Sequence, residues 1–218
     1  SLFFGKELLA RAGDKNKMAF KFGLGLFGAL MLLGIFLSVV ALGIVLYFYP
    51  NAANDLLTKP NPVLNVSPRN ALVLIAVSFL VVGPAEEYLF RGFMFGGLLS
   101  ITKGKHWIPL AVISSLMFAS VHAYYGITYG VASVVVFINI VTFSIAMSVA
   151  YYWTGGNIIV PAIIHGLYDA TGFLGVATTT MVGVIARGIL ISVGLVFAVV
   201  FLPKKIRLTP VPIQNAPT

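Results

Sequence analysis

No cysteine occurs in the 218 residues, which excludes disulfides, thiolate nucleophiles and cysteine metal sites together. Charge is nearly as scarce. Asp, Glu, Lys and Arg make up 9% of the chain, against about 25% in an ordinary soluble domain, and only six residues are acidic. With 59% hydrophobic residues and a mean hydropathy of +1.01, the chain reads as an integral membrane protein. The net charge of +8 raises the question of nucleic acid, but the basic residues gather at the ends of apolar stretches, which is a topology pattern; no nucleic-acid partner is expected. A chain beginning at Ser1 is expected to be trimmed or partial.

What is abundant is long apolar runs. Six candidate spans cover roughly 18–49, 70–101, 107–125, 127–152, 157–176 and 180–202, each near or above the ~20 residues that cross a bilayer. The expected fold is all-α, a polytopic membrane bundle of about six helices forming one domain over 18–202. Residues 1–17 mix Leu and Phe with Lys6, Arg11, Lys15 and Lys17, as in an amphipathic segment on an anionic surface. Residues 203–218 form a basic, Pro-rich tail, and 50–69 a polar, Pro-rich loop. Lys6 to Lys21, Lys103, Lys105, Lys204, Lys205 and Arg207 fall on one side of such a bundle, with Lys59 and Arg69 opposite. The positive-inside rule then makes both termini cytoplasmic, with the cell membrane as the expected location.

The second span is too long for one straight crossing, since 32 helical residues reach about 48 Å against a core near 30 Å. Gly83-Pro84 predicts a break there, with Glu86 and Glu87 on the first turn of a new helix, where free backbone N–H groups favour negative charge. Gly92, Gly96 and Gly97 predict close helix approach beyond it.

Half of the acidic residues and two of the three histidines lie inside these spans. An ionisable group at that depth costs at least ~2.5 kcal/mol, so five of them need pairing or use. Glu87 and Arg91, Phe118 and His122, and His165 and Asp169 are each four apart, so each pair shares a helix face. Arg91 is expected to hold Glu87 charged and fixed, leaving Glu86 for chemistry. Asp169 is expected to fix the tautomer of His165. If the second, third and fifth spans bring these faces together, Glu86 with an imidazole activates a water. His122 or His165 then stabilises the oxyanion and protonates the leaving amine. The same Glu, His, His and Asp set is chemically suited to zinc. A relay for protons or ions and a non-catalytic binding role are the other readings.

Glu86-Glu87-Tyr88-Leu89-Phe90-Arg91 reads EExxxR, Phe118 to His122 FxxxH, and His165 to Asp169 HxxxD. In that order, over about 70–176, they resemble the motifs of the CPBP intramembrane proteases, which include the Abi proteins and the CAAX prenyl endopeptidases. The resemblance implies a helical membrane endopeptidase in which Glu86 is the water-activating base and His122, His165 and Asp169 complete the site, supported by Glu87 and Arg91. It implies a substrate that is a membrane-embedded or lipid-anchored peptide, and prenyl CAAX processing as one version of it. No cofactor is expected, zinc being the lesser alternative. Asp169 stands at a position where the family has Asn or Asp.

Blander roles are expected elsewhere. Phe118 packs a turn below His122, His106 sits with Trp107 at a membrane boundary, and Asn139 glues helices together. Arg187, inside the sixth span, either snorkels outward or pairs with Asp169. Counted from the cytoplasmic ends, Glu86 and His122 lie about 22 to 24 Å deep but His165 only about 12 Å. The fifth span must therefore start deeper, or another helix must tilt or break.

Overall fold

The computed structural model describes residues 16–201, and all its regular elements are helical. The expected N-terminal amphipathic segment and C-terminal tail lie outside the described residues, apart from the last two positions of the former. Eight helices follow in order: α1 (Asn16–Phe48), α2 (Ala52–Thr58), α3 (Pro68–Ile101), α4 (Trp107–Ser120), α5 (Tyr124–Tyr129), α6 (Ser133–Trp153), α7 (Ile159–Ala177) and α8 (Thr180–Phe201). Five stretches among the described residues are long and apolar enough to cross a membrane: α1, α3, α5 continuing through Gly130–Ala132 into α6, α7 and α8.

The third expected span differs. α4 has 14 residues and ends at Ser120, not near 125. At 1.5 Å per residue it rises about 21 Å. The chain leaves the helix where the His122 Nδ1–H donates to the Phe118 carbonyl at 2.8 Å, turns through 121–123, and restarts as α5. Among the described residues the bundle therefore has five helices long and apolar enough to cross and a sixth, shorter apolar helix.

α1 is the packing axis. Phe27 and Met31 are fully buried in a core with Phe143 and Met147 of α6 and Ile164 of α7. Its opposite side, with Phe36 and Val39 both 63% exposed, is an apolar face of the kind lipid covers. α1 meets α8 through glycine: a Cβ on Gly28 would stand 2.6 Å from the Gly194 carbonyl carbon. Close backbone approach of this kind replaces the hydrophobic drive that lipid removes. Gly28→Ala is therefore expected to cost about 1–3 kcal/mol, because backbone has to move. Gly43→Ala, which meets nothing within 4 Å, should be neutral or stabilising by up to about 1 kcal/mol. Thermal unfolding of both variants in one detergent checks this pair.

α3 does not break at Gly83-Pro84. Pro68 opens it at the first turn, and the Ser67 hydroxyl accepts from Asn70 N–H at 3.3 Å. The helix then runs continuously, absorbing the proline with a π-helical turn at Ser78–Val82, where Gly83 N–H bonds to the Ser78 carbonyl. A second π segment, Tyr88–Phe95, follows. Wider turns give the Pro84 ring room in the helix, so the expected break and its free N–H groups do not form.

The depth mismatch resolves in favour of a deeper start for α7. Ile158, just before it, reaches to 3.0 Å from where a Cβ on Gly92 would be. That level lies nine residues, or about 13 Å, before the end of α3. The boundary on this side is marked by Trp107 stacked on Tyr152 at 4.7 Å, beside His106, Lys103 and Lys105. Asn139 joins α6 to α1 as expected, donating to the Ser38 hydroxyl at 2.6 Å.

Candidate functional site

Glycine decides how α3 and α7 meet. A Cβ on Gly83 would lie 2.9 Å from the Ala162 carbonyl oxygen and 3.2 Å from Gly166 N. A Cβ on Gly166 would lie 3.0 Å from Phe79 Cα. The two backbones thus touch one residue beyond His165 and three before Glu86, which draws the acidic pair and the imidazole together. Of the glycines expected to play this role, Gly92 and Gly96 pack against Ile158 and Tyr151, whereas Gly97 meets nothing within 4 Å.

The Glu87–Arg91 pair forms as its spacing predicts. Arg91 Nη1 donates to Glu87 Oε1 at 3.0 Å, and both side chains are completely buried. Arg91 Nη2 also donates to Ser144 Oγ at 2.7 Å and to the Ser144 carbonyl at 3.1 Å, and its guanidinium lies 4.7 Å from the Phe118 ring centre. Ser144 was not anticipated. One serine in an apolar helix carries no signal when its partner is 53 positions away.

His165 is held by Glu87, not by Asp169. Its Nδ1–H donates to Glu87 Oε1 at 2.7 Å. That oxygen also accepts from Arg91, so in this contact Nδ1 carries the proton. Nε2 is left facing two carboxylates, Glu86 Oε2 and Asp169 Oδ2, each 3.6 Å away. This exceeds hydrogen-bond length and suits exchange of a proton through a water or after a small movement. Phe143 and Phe118 hold the ring edge to face, at 4.9 and 5.9 Å between centres. Phe118 thus touches His165, Arg91 and His122 together and does more than pack one turn below a histidine.

The two glutamates differ as completely as neighbours can. Glu87 is sealed, while the Glu86 side chain is 33% exposed. Glu86, His122, His165 and Asp169 line one cavity of about 680 Å³, whose walls include Met31, Ile35 and Phe143. Residues 61, 63 and 64 of the polar loop line it too, so the cavity extends to the side of the membrane where α3 begins. His122 resembles His165 in one respect: its Nδ1–H is tied down, here by the Phe118 carbonyl, leaving Nε2 as the nitrogen open to a substrate or water. His106 takes no part, standing before α4 at the boundary with a left-handed backbone, φ 59°.

A sealed ion pair positioning one imidazole beside an accessible carboxylate puts two groups able to exchange a proton on one cavity. Among the described residues no group of three or more His, Asp or Glu converges as metal ligands. Residues 68–171, just under half of the chain, match the family model for Rce1-like proteins, described as type II CAAX prenyl endopeptidase Rce1-like. Through this stretch the chain resembles the Rce1-like CAAX endopeptidases. The stretch holds every one of the seven motif residues, from Glu86 to Asp169. The family description is that of a protease, and the apolar helices among the described residues support an integral membrane protein. No curated protein and no solved structure matches the chain.

Proposed function

We propose that the protein is an intramembrane endopeptidase that hydrolyses a peptide bond in a membrane-associated or lipid-linked peptide, with Glu86 as the base. The observation that carries this reading is the split between the paired, buried Glu87 and the accessible Glu86, whose Oε2 lies 3.6 Å from His165 Nε2. Prenylated CAAX-type endings are the substrate class named by the family description. In the proposed reaction Glu86 takes a proton from a water as its oxygen bonds to the scissile carbonyl carbon. The proton moves by His165 Nε2 to the leaving nitrogen as the C–N bond breaks, so one water is consumed per bond. Asp169, near the same nitrogen, offsets the positive charge of the imidazolium while it lasts. His122, which lines the same cavity, stabilises the oxyanion. The charge tally supports cytoplasmic termini, and the proposed partners are the bilayer and the peptide, not nucleic acid.

The test is cleavage of membrane-anchored peptides, with and without a prenylated cysteine near the C-terminus, by the full chain in nanodiscs. Cleavage of the prenylated series that persists with a chelator is expected. Loss with the chelator would replace the glutamate-only mechanism with a metal-dependent one, and no cleavage in either series would remove the protease assignment.

A further inference from the structure

Arg187 is the eighth residue of α8, about 10 Å along the helix from Thr180. A guanidinium at that depth in an apolar helix is a candidate for function, with its partner to be named. The expected direct pairing with Asp169 does not form. Asp169 turns to His165, and no described carboxylate forms an ion pair with Arg187. Arg187 instead donates from Nε to Thr171 Oγ1 at 3.0 Å and lies 4.4 Å from the centre of the Tyr168 ring. It lines the same cavity as Glu86, His122 and His165. Thr171 and Tyr168 fix the fork at one edge and one face, and the terminal nitrogens are left for an anion.

We infer that Arg187 is a specificity residue that binds the free C-terminal carboxylate of the peptide being cut, an inference that rests on the protease reading above. A planar guanidinium offers two parallel N–H donors, the geometry a carboxylate accepts, and capture of a chain terminus is a recurring recognition mode. The reach fits. Arg187 Nη2 stands 3.2 Å from where a Cβ on Gly172 would be, and Gly172 is seven residues, about 10 Å, along α7 from His165. Three extended residues also span about 10 Å. A carboxylate held at Arg187 therefore sets the bond three residues upstream beside Glu86 and His165, and a CAAX ending has three residues after its cysteine. Asp169, between the two points on α7, disfavours an anion that stops short.

A phosphate of a lipid headgroup offers similar chemistry, so the test separates the two sources. A fluorescent membrane-anchored peptide, as free acid and as C-terminal amide, is titrated with the full chain in phosphate-free detergent, and anisotropy reads the affinity. Wild type is expected to bind the acid at least 10-fold more tightly. Arg187→Gln should erase that preference while keeping the wild-type affinity for the amide, and Arg187→Lys should retain part of it. Added phosphatidylcholine should not displace the acid. Equal binding of acid and amide by wild type, no binding of either, or a preference that survives in Arg187→Gln overturns the inference. So does displacement of the acid by phosphatidylcholine, which assigns Arg187 to a headgroup. Cleavage is read separately: an acid preference lost in Arg187→Gln in a protein that cuts nothing removes the protease reading and leaves the carboxylate site standing.

Discussion

Glu86→Gln is expected to lower the rate of cleavage by about 10²–10⁴-fold, the usual worth of a positioned general base, with thermal stability close to wild type. The amide keeps the size and hydrogen-bonding capacity of the carboxylate but takes up no proton, so the water loses its base while the cavity keeps its shape. Stability is spared because Glu86 is one-third exposed and stands 3.6 Å from His165 Nε2, too far for a hydrogen bond that holds the fold. Single-turnover cleavage with the unfolding midpoint of the same preparation checks both halves. A variant that cuts at more than a tenth of the wild-type rate would remove Glu86 from the role of base.

The opposite profile is expected of Arg91. Arg91→Leu should destabilise the folded state by about 3–5 kcal/mol, since it leaves the Glu87 carboxylate buried without its counter-charge. The second change, Glu87→Gln, should recover much of that loss in the double variant. Gln still presents an oxygen to His165 Nδ1–H, and no unpaired charge remains. Activity should not return with stability, because a neutral amide no longer anchors the imidazole with a charge-assisted bond. Denaturant unfolding in detergent across the single and double variants measures the coupling. Additive losses would mean that the pair is not the unit described.

What the sequence made legible was whatever depends on neighbours along one helix. Apolar runs located the helices, and the spacing of four placed Glu87 on Arg91 and identified the faces carrying His122 and His165. Contacts between backbones far apart in the chain were not legible. Gly83 against Gly166 sets the α3–α7 distance, yet neither glycine differs in sequence from Gly43, which touches nothing. The tautomer of His165 follows from that approach, which is why Glu87, 78 positions away, displaced the neighbouring Asp169 as its partner. Pro84 read as a break because the proline rule concerns α-helical turns, whereas the turn before it is π-helical. Arg187 was visible as a charge in an apolar run, but its hold on Thr171 required knowing how α7 and α8 lie together.

The short α4 makes membrane thickness a variable of this chemistry. Its 14 residues rise about 21 Å, some 9 Å less than a typical hydrocarbon core. The chain at that position ends in the turn that carries His122, followed by the paired rings of Tyr124 and Tyr125, 4.6 Å apart. Lipid in the leaflet beyond that turn must thin or tilt to meet it, at a cost that grows with acyl length. A thin bilayer brings the headgroup region, and with it water, toward His122, whereas a thick one puts hydrocarbon in the way. A thicker host membrane is therefore expected to leave the site drier than a thin one, without altering a single residue of the protein.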